Sequence, residues 1–458
     1  MQEITRGGTL TANAIVGRIE RLPPSLWHLK IRAIIGTATF FDGFDAVAIA
    51  FVLPALIGQW HLAPADIGLL LSSGFAGQLI GASLFGWLAE RYGRIRVLNW
   101  TILILSLFGL ACAFAWSYWS LVALRFLQGL GLGGEIPVAA TFVSEISRSH
   151  ARGRFVLLYQ VLLPLGFMAA SISSIVIVPN LGWQWMFIIG ALPALLAIGL
   201  RRLVPESPRW LAKQGRLTEA DAILKTIEDI VERESGKPLA AATTSVASEA
   251  PRIESWKTLF EGIYLRRTIT VWIMWFCAAS IGYGLLVWLP TILRTVYKMP
   301  IRDALIYSSI SNVCVIVSAI CGAFLVDAFG RRPVFVFSFL CGSLPLFILW
   351  WLGPGATATD LVIAAAVASA TISLVQLGLW TYTPELYPTS VRSFGSGTAS
   401  AWARAASIIA PNVVGAMMVH STLQSVFLMF GCIGLVGAAA VLFCRVETRG
   451  RLLEEVSP

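Results

Sequence analysis

Five ionisable residues lie inside stretches of sequence that are otherwise apolar: Asp42, Asp45, Arg125, Glu135 and Arg404. A charged side chain at the centre of a membrane helix costs about 2.5 to 3.5 kcal/mol unless it is paired or hydrated, so each of the five calls for a chemical reason. Asp42 and Asp45 are three residues apart and share one face of a helix. Two carboxylates so placed in a low dielectric repel, which favours a proton on one of them; the alternative is that Asp42 opens into a vestibule and is hydrated. Glu135 follows Arg125 by ten residues, about 15 Å along a helix, too far to share an ion pair made by Arg125. It reads either as a gating or second proton-carrying group, or as a helix-packing hydrogen bond beside Pro137. Arg404, flanked by Ala403 and Ala405, has no acid nearby in the sequence, and its small neighbours leave room beside it. Its fork of donors suits a carboxylate, either that of a bound organic anion or that of an aspartate from the first apolar stretch.

Membrane-crossing helices are the elements that can hold such residues. The chain is 57% hydrophobic and 13% charged, against about 25% charged in soluble domains, and a packed core alone cannot absorb that much apolar surface. Twelve apolar runs have the length that a helix needs to cross a hydrocarbon layer of ~30 Å: 31–57, 66–90, 95–116, 118–144, 153–178, 183–203, 268–293, 303–328, 333–352, 360–384, 391–419 and 423–444. The loops between them alternate in charge. Arg91, Arg94 and Arg96, then Arg148, Arg152 and Arg154, then the segment from Arg201 to Arg267 are basic, whereas the loops around His61, Trp119, Asn180 and Gly355 carry no Lys or Arg. Basic loops are retained in the cytoplasm. The alternation therefore predicts a multi-pass protein of the cell (inner) membrane with both termini cytoplasmic; the loop with Arg294, Lys298 and Arg302 is the exception.

The expected fold class is all-α integral membrane. Its parts are a cytoplasmic N-terminal segment 1–30, a six-helix bundle over 31–203, a cytoplasmic linker over 204–267, a second six-helix bundle over 268–445 and a tail 446–458. Within the linker, the apolar spacing of Arg216 to Glu234 predicts a short helix. Residues 1–30 lack an apolar core followed by a small-residue cleavage site, so the first span is expected to be the insertion signal.

Several function classes are disfavoured. The net charge of +9 flanks the spans instead of forming one stripe, which argues for topology signals and contact with anionic membrane lipid rather than nucleic acid. All seven cysteines fall in predicted spans without a CxxC pair, as small buried hydrophobes would. No nucleophile and base set, metal-spaced cluster or phosphate loop is present, so neither an enzyme nor a cofactor or metal is expected.

The two halves repeat each other. Glu90-x-x-Gly93-Arg94 recurs as Asp327-x-x-Gly330-Arg331 at an offset of 237, Glu145 with Arg152 as Glu385 with Arg392 at 240, and Pro205-Glu206-Ser207 as Val446-Glu447-Thr448 at 241. Such offsets argue for duplication into two pseudo-symmetric bundles, the plan of transporters that rock two bundles about a midplane site. In the first copy, Gly86 and Gly93 are read as permitting a tight reversal and close helix approach, and Glu90, Arg91 and Arg94 as a charge network able to latch one conformation. Together with Glu145, Arg152, Glu206, Asp327, Gly330, Arg331, Glu385, Arg392 and Glu447, these are the candidate gating residues.

That turn resembles the loop motif of the major facilitator superfamily, with Glu90 where an aspartate is usual. Arg125-Phe-Leu-Gln-Gly129, Pro205-Glu206-Ser207-Pro208-Arg209-Trp210, Glu385-Leu-Tyr-Pro388 and Glu447-Thr-Arg-Gly450 resemble its sugar-porter-like branch. Gly133-Gly134-Glu135-Ile136-Pro137 and Phe41-Asp42-Gly43-Phe44-Asp45 are similar to the niacin permeases, the synaptic-vesicle-protein-like and organic-ion transporters, and the aromatic-acid:proton symporters. The resemblance implies that Asp45 and Arg125 are a proton-titrating pair, the alternative being a permanently ionised pair that staples two helices. It also implies that the cavity is lined by aromatics such as Phe41, Tyr159, Tyr283, Trp380 and Trp402, with Gln160, Asn312 and Gln376 placed to orient a ligand. The expected function is proton-coupled import of a small aromatic or heteroaromatic monocarboxylate, nicotinate-like or benzoate-like, its carboxylate on Arg404. The expected partners are that organic anion, protons and membrane lipid. The alternatives are an organic cation or drug:proton antiporter, in which Asp42, Asp45 and Glu135 hold the cation, and a non-transporting membrane sensor or docking protein.

Overall fold

The computed structural model describes residues 11–147, 161–236, 238–239, 256–387, 391–444 and 446–448. Apolar runs become helices because, in hydrocarbon, backbone N–H and C=O groups must be bonded within the segment. The first half contains α2 (Leu26–Trp60), α3 (Pro64–Tyr92), α4 (Arg94–Ala113), α5 (Tyr118–Glu145), α6 (Leu162–Asn180) and a broken sixth span made of α7 (Gln184–Gly190) and α8 (Pro193–Leu203). The second half contains α11 (Gly262–Thr295), α12 (Ile301–Phe329), α13 (Arg331–Leu352), α14 (Ala358–Glu385), α15 (Arg392–His420) and α16 (Leu423–Cys444). Among the described residues twelve spans are long and apolar enough to cross a membrane, and there is no strand. Residues 153–160 of the fifth predicted span lie outside the described residues.

The break in the sixth span has a local cause. Pro193 has no N–H to donate, and the chain there closes tighter turns, Leu192 N–H to Ile189 O at 3.1 Å and Ala194 N–H to Ala191 O at 3.0 Å.

Glycines set how closely the spans approach. A Cβ on Gly77 would lie 2.1 Å from the carbonyl oxygen of Phe126, and one on Gly133 2.1 Å from that of Gln78, so α3 and α5 meet backbone to backbone. Gly43 and Gly166 do the same for α2 and α6. The halves join toward the end remote from the termini. There Gly415 of α15 faces the Pro64 carbonyl of α3, the rings of Phe75 and Tyr283 stack edge-on at 5.3 Å, and Ser171 Oγ donates to Ser309 Oγ at 2.5 Å.

On the side of the termini, α1 (Ala12–Arg21), α9 (Pro208–Lys213) and α10 (Leu217–Ser235) form a polar-faced layer under the first half. Ile15 and Ile19 of α1 are buried in the same apolar cluster as Leu224, Ile227 and Val231 of α10. Arg18 reaches Asp221 at 2.5 Å and Glu228 at 2.6 Å, Arg21 reaches Glu228 at 2.8 Å, and Arg209 reaches Glu20 at 2.6 Å. Arg18 and Arg21 thus latch α1 and α10 together. Burial alone would raise the Glu228 carboxyl, but the hydrogen bonds from Arg18 and Arg21 outweigh it and hold that group below the ordinary carboxylate range. In the loop that breaks the charge pattern, Arg294 donates to the carbonyl of Met299 at 2.9 Å and closes the turn after α11.

Candidate functional site

Asp45 and Arg125 come together at the heart of the first half, 0% and 2% exposed. Among the described residues the guanidinium makes no direct ion pair. Its Nη1 donates to Gln128 Oε1 at 2.7 Å and, at 3.4 Å, to the backbone oxygen of Asp45, while its charge lies over the Phe187 ring. Neither carboxylate oxygen of Asp45 accepts a hydrogen bond among the described residues; the Gln128 amide faces it without closing one. Asp45 is seated against Gly190, where a Cβ would fall 2.0 Å from Oδ1. The broken span therefore brings its last α7 residue, one without a side chain, to the buried acid.

One turn back along α2, Asp42 (3% exposed) meets Glu135 of α5 (0% exposed) within hydrogen-bonding reach. Thr39, another turn back on the same face, donates to Glu135 Oε1 at 2.8 Å. Asp42 therefore lies buried beside an acid of another helix and not in a hydrated vestibule. Arg404 donates to the carbonyl of Gln78 at 3.2 Å, and its charge is felt by Asp42 and by the Tyr283 phenol. It binds neither first-span aspartate directly, since no ion pair of Arg404 occurs within 4.0 Å among the described residues.

Tyr283 links this charged cluster to a cavity of about 60 Å³ between the halves, lined by Phe167, Tyr283, Asn312, Ser369, Ser373 and Gln376 among others. Gln376 Nε2 donates to the Ala278 carbonyl at 3.0 Å, close over Gly282, whereas Asn312 Nδ2 is buried and has no protein partner. Three of the sequence candidates, Tyr283, Asn312 and Gln376, are thus gathered on one wall.

Others are not. Trp402 is 41% exposed and stacks on Trp272 and Phe276 in a separate apolar groove of about 570 Å³ between α11, α15 and α16. It lies two positions before Arg404, which turns it to nearly the opposite face of α15. Trp380, 42% exposed and edge-on to Trp275, continues the Gln376 face of α14 toward the termini. Phe41 packs against Phe40 and Phe44. Arg152, Tyr159 and Gln160, and the side chains of Asp327 and Arg392, lie outside the described residues.

The duplicated motifs build two matching clusters at the termini end. Glu206 accepts the N–H groups of Arg94 and Ile95 at 2.9 and 3.1 Å and so caps the start of α4, and Glu447 caps α13 through Arg331 and Arg332 at 3.1 and 2.9 Å. Arg94 binds Glu90 at 2.7 Å and Glu145 at 3.0 Å; Arg331 binds Glu385 at 3.4 Å. Arg91 stays out of the network and lies over the rings of Trp87 and Tyr92, and Gly86 meets open space, so its role as a close-packing glycine does not hold. Gly93, at φ +106°, is the glycine that the turn requires.

Sequence reading passed over Thr39, Gln128, Phe75 and Gly190. Gln128 was within reach of it, three residues after Arg125 and hence on the same face; nothing local marks Gly190.

Residues 35–458 match the profile of the sugar (and other) transporter family. The chain belongs to that family. Family members similar to it include the niacin transporter NiaP of Acinetobacter baylyi, 36% identical over 96% of this chain and 99% of the relative, and the putative niacin/nicotinamide transporter NiaP of Bacillus subtilis, 30% identical over 93% and 98%. Among solved structures, the xylose transporter XylE of E. coli in an inward open conformation is similar with a TM-score of 0.73, 20% identity, and coverage of 94% of this chain and 99% of that one. The chain is therefore a multi-pass major facilitator transporter of two six-helix bundles, not an enzyme.

Proposed function

We propose that the chain imports a small aromatic or heteroaromatic monocarboxylate of the niacin class together with protons, with both termini in the cytoplasm. The observation that carries this reading is Arg404, a guanidinium inside the apolar bundle whose electrostatic neighbour Tyr283 lines the cavity between the halves. Its fork takes the carboxylate, the ring lies against Tyr283, and Asn312 and Gln376 orient the ring nitrogen or ring edge. The buried Asp45 carries the coupling proton beside Arg125, and exchange of that proton accompanies the rocking of the two halves. The niacin transporter relative supports the cargo class, and the loop charges support the orientation.

The test is nicotinate and benzoate binding to the purified protein. Arg404→Lys should weaken both about 30-fold or more, because an ammonium cannot reproduce the fork, and should alter nicotinamide binding much less. Equal losses for acid and amide would make Arg404 structural. Tight binding of an organic cation by the native protein, with none of the acids, would favour the antiporter reading.

A further inference from the structure

Asp42 and Glu135 face each other in the apolar interior, from α2 and α5. Their approach is fixed independently by Thr39, which sits three residues before Asp42 on the same helix face and donates to Glu135 Oε1 at 2.8 Å. Two ionised carboxylates are acceptors only, with nothing to place between them, so such a contact is stable when the pair holds a proton. Asp42 Oδ2 is buried and accepts no hydrogen bond from the protein. The titratable and charged groups facing the pair, among the described residues, are Asp45 on the same helix, Tyr283 on α11 and Arg404 on α15; Arg125 on α5 acts on Asp45.

Counting charge over this cluster gives a constraint. Asp45 and Arg125 cancel each other. With one shared proton, the Asp42–Glu135 pair carries a single negative charge, which Arg404 cancels. A substrate carboxylate arriving at Arg404 then leaves one uncompensated negative charge in a low dielectric, a state that the interior disfavours strongly.

We propose that the Asp42–Glu135 pair holds one shared proton at rest and takes up a second from solvent when a substrate carboxylate occupies Arg404, so that anion and proton bind together at this site. The step forms one O–H bond on the pair, consumes one solvent proton and changes no oxidation state. It rests on the reading of Arg404 as the anion site; the proton taken up here accompanies substrate binding, with Asp45 ionised, whereas the proton on Asp45 exchanges only in the later rocking step.

The experiment is calorimetric titration of purified full-length protein with benzoate, nicotinate and nicotinamide in buffers of different ionisation enthalpy. The wild type should take up about one proton per bound acid and none per bound amide, and its affinity for the acids should weaken about tenfold for each unit rise in pH above the protonation range of the pair. Asp42→Asn and Glu135→Gln should each keep the uptake, because an amide N–H takes over the place of the shared proton and leaves one titratable carboxyl. The double variant should bind the acids without proton uptake and with an affinity that is flat in pH. Asp45→Asn should leave the uptake intact. Acid binding to the wild type without proton uptake, uptake that persists in the double variant, or uptake lost in either single variant would each overturn the shared-proton pair while leaving Arg404 as anion site. Failure of every acid to bind the wild type would instead overturn the anion reading and this proposal with it. The wild-type acid and amide arms and the single variants keep the test decisive if the double variant does not fold.

Discussion

Gly190 shows how one side chain can be governed by the absence of another. A Cβ there would fall 2.0 Å from Asp45 Oδ1, well inside van der Waals contact, and the buried acid has no room to retreat. Gly190→Ala is expected to lower stability by about 1 to 3 kcal/mol through overpacking and to abolish accumulation of substrate driven by a pH gradient; a detergent thermal melt and uptake into proteoliposomes read the two effects. Wild-type accumulation in Gly190→Ala would mean that the position of the Asp45 carboxylate is immaterial to coupling. Asp45→Asn keeps the shape and removes the charge. It should stop uphill uptake and spare counterflow exchange, which moves no net proton. Retained response to the gradient in that variant would remove Asp45 from the coupling step.

At the scale of elements, the turns between α3 and α4 and between α12 and α13 depend on a glycine with positive φ, a helix N-terminus and an acid from a distant segment. Gly93 (φ +106°) would meet Glu206 if it carried a Cβ, and Gly330 (φ +92°) would meet Glu447. Gly86, seven residues earlier on a regular helix, meets nothing within 4 Å. Thermal melts should separate them: Gly93→Ala costs about 1 to 3 kcal/mol, whereas Gly86→Ala is neutral or stabilising by up to about 1 kcal/mol, as expected for alanine inside a helix. A loss in Gly86→Ala equal to that in Gly93→Ala would show that helix approach, not backbone conformation, is what the motif needs. Removing the charge that caps α4, Glu206→Gln, should cost roughly 1 kcal/mol for the lost interaction with the helix start.

For the whole molecule, the layer made by α1, α9 and α10 is held together by charge as well as by apolar packing. The Glu228 carboxyl is depressed in the folded state, so its contribution is fully present above the ordinary carboxylate range and is lost as pH falls through its lowered value. Protection of Ile15 to Ile19 from hydrogen exchange, taken relative to the intrinsic rate at each pH, should therefore be high at neutral pH and fall on acidification below the usual glutamate range, and Glu228→Gln should show the lower protection already at neutral pH. Exchange unaffected by the substitution would mean that the apolar contacts of Ile15 and Ile19 suffice. The same layer reports orientation. A cysteine at Lys213, an exposed position on α9, should react with an impermeant thiol reagent only in opened cells, above the background of the native cysteines; reaction in intact cells would reverse the assigned sides.

The sequence alone determined the number of spans and their approximate positions, although the first and seventh spanning helices start earlier than the apolar runs, at Leu26 and Gly262; hydrocarbon leaves a polar backbone little alternative to helices of membrane length. Loop charge and the three repeated motifs made the two-bundle plan readable, and the cost of burying charge singled out Asp42, Asp45, Arg125, Glu135 and Arg404. Helical spacing tells which residues share a face, but not which face of another helix lies opposite. Only the tertiary structure decided that Asp42 meets Glu135, that Arg125 engages Gln128 and the backbone of Asp45 without a direct ion pair, and that Trp402 turns away from the cavity to which Tyr283, Asn312 and Gln376 contribute. Those pairings depend on the rotation of each helix about its axis and on its depth against its neighbours. Both are set where glycines such as Gly77, Gly133, Gly43 and Gly166 let one backbone rest on another, at points far apart in the chain.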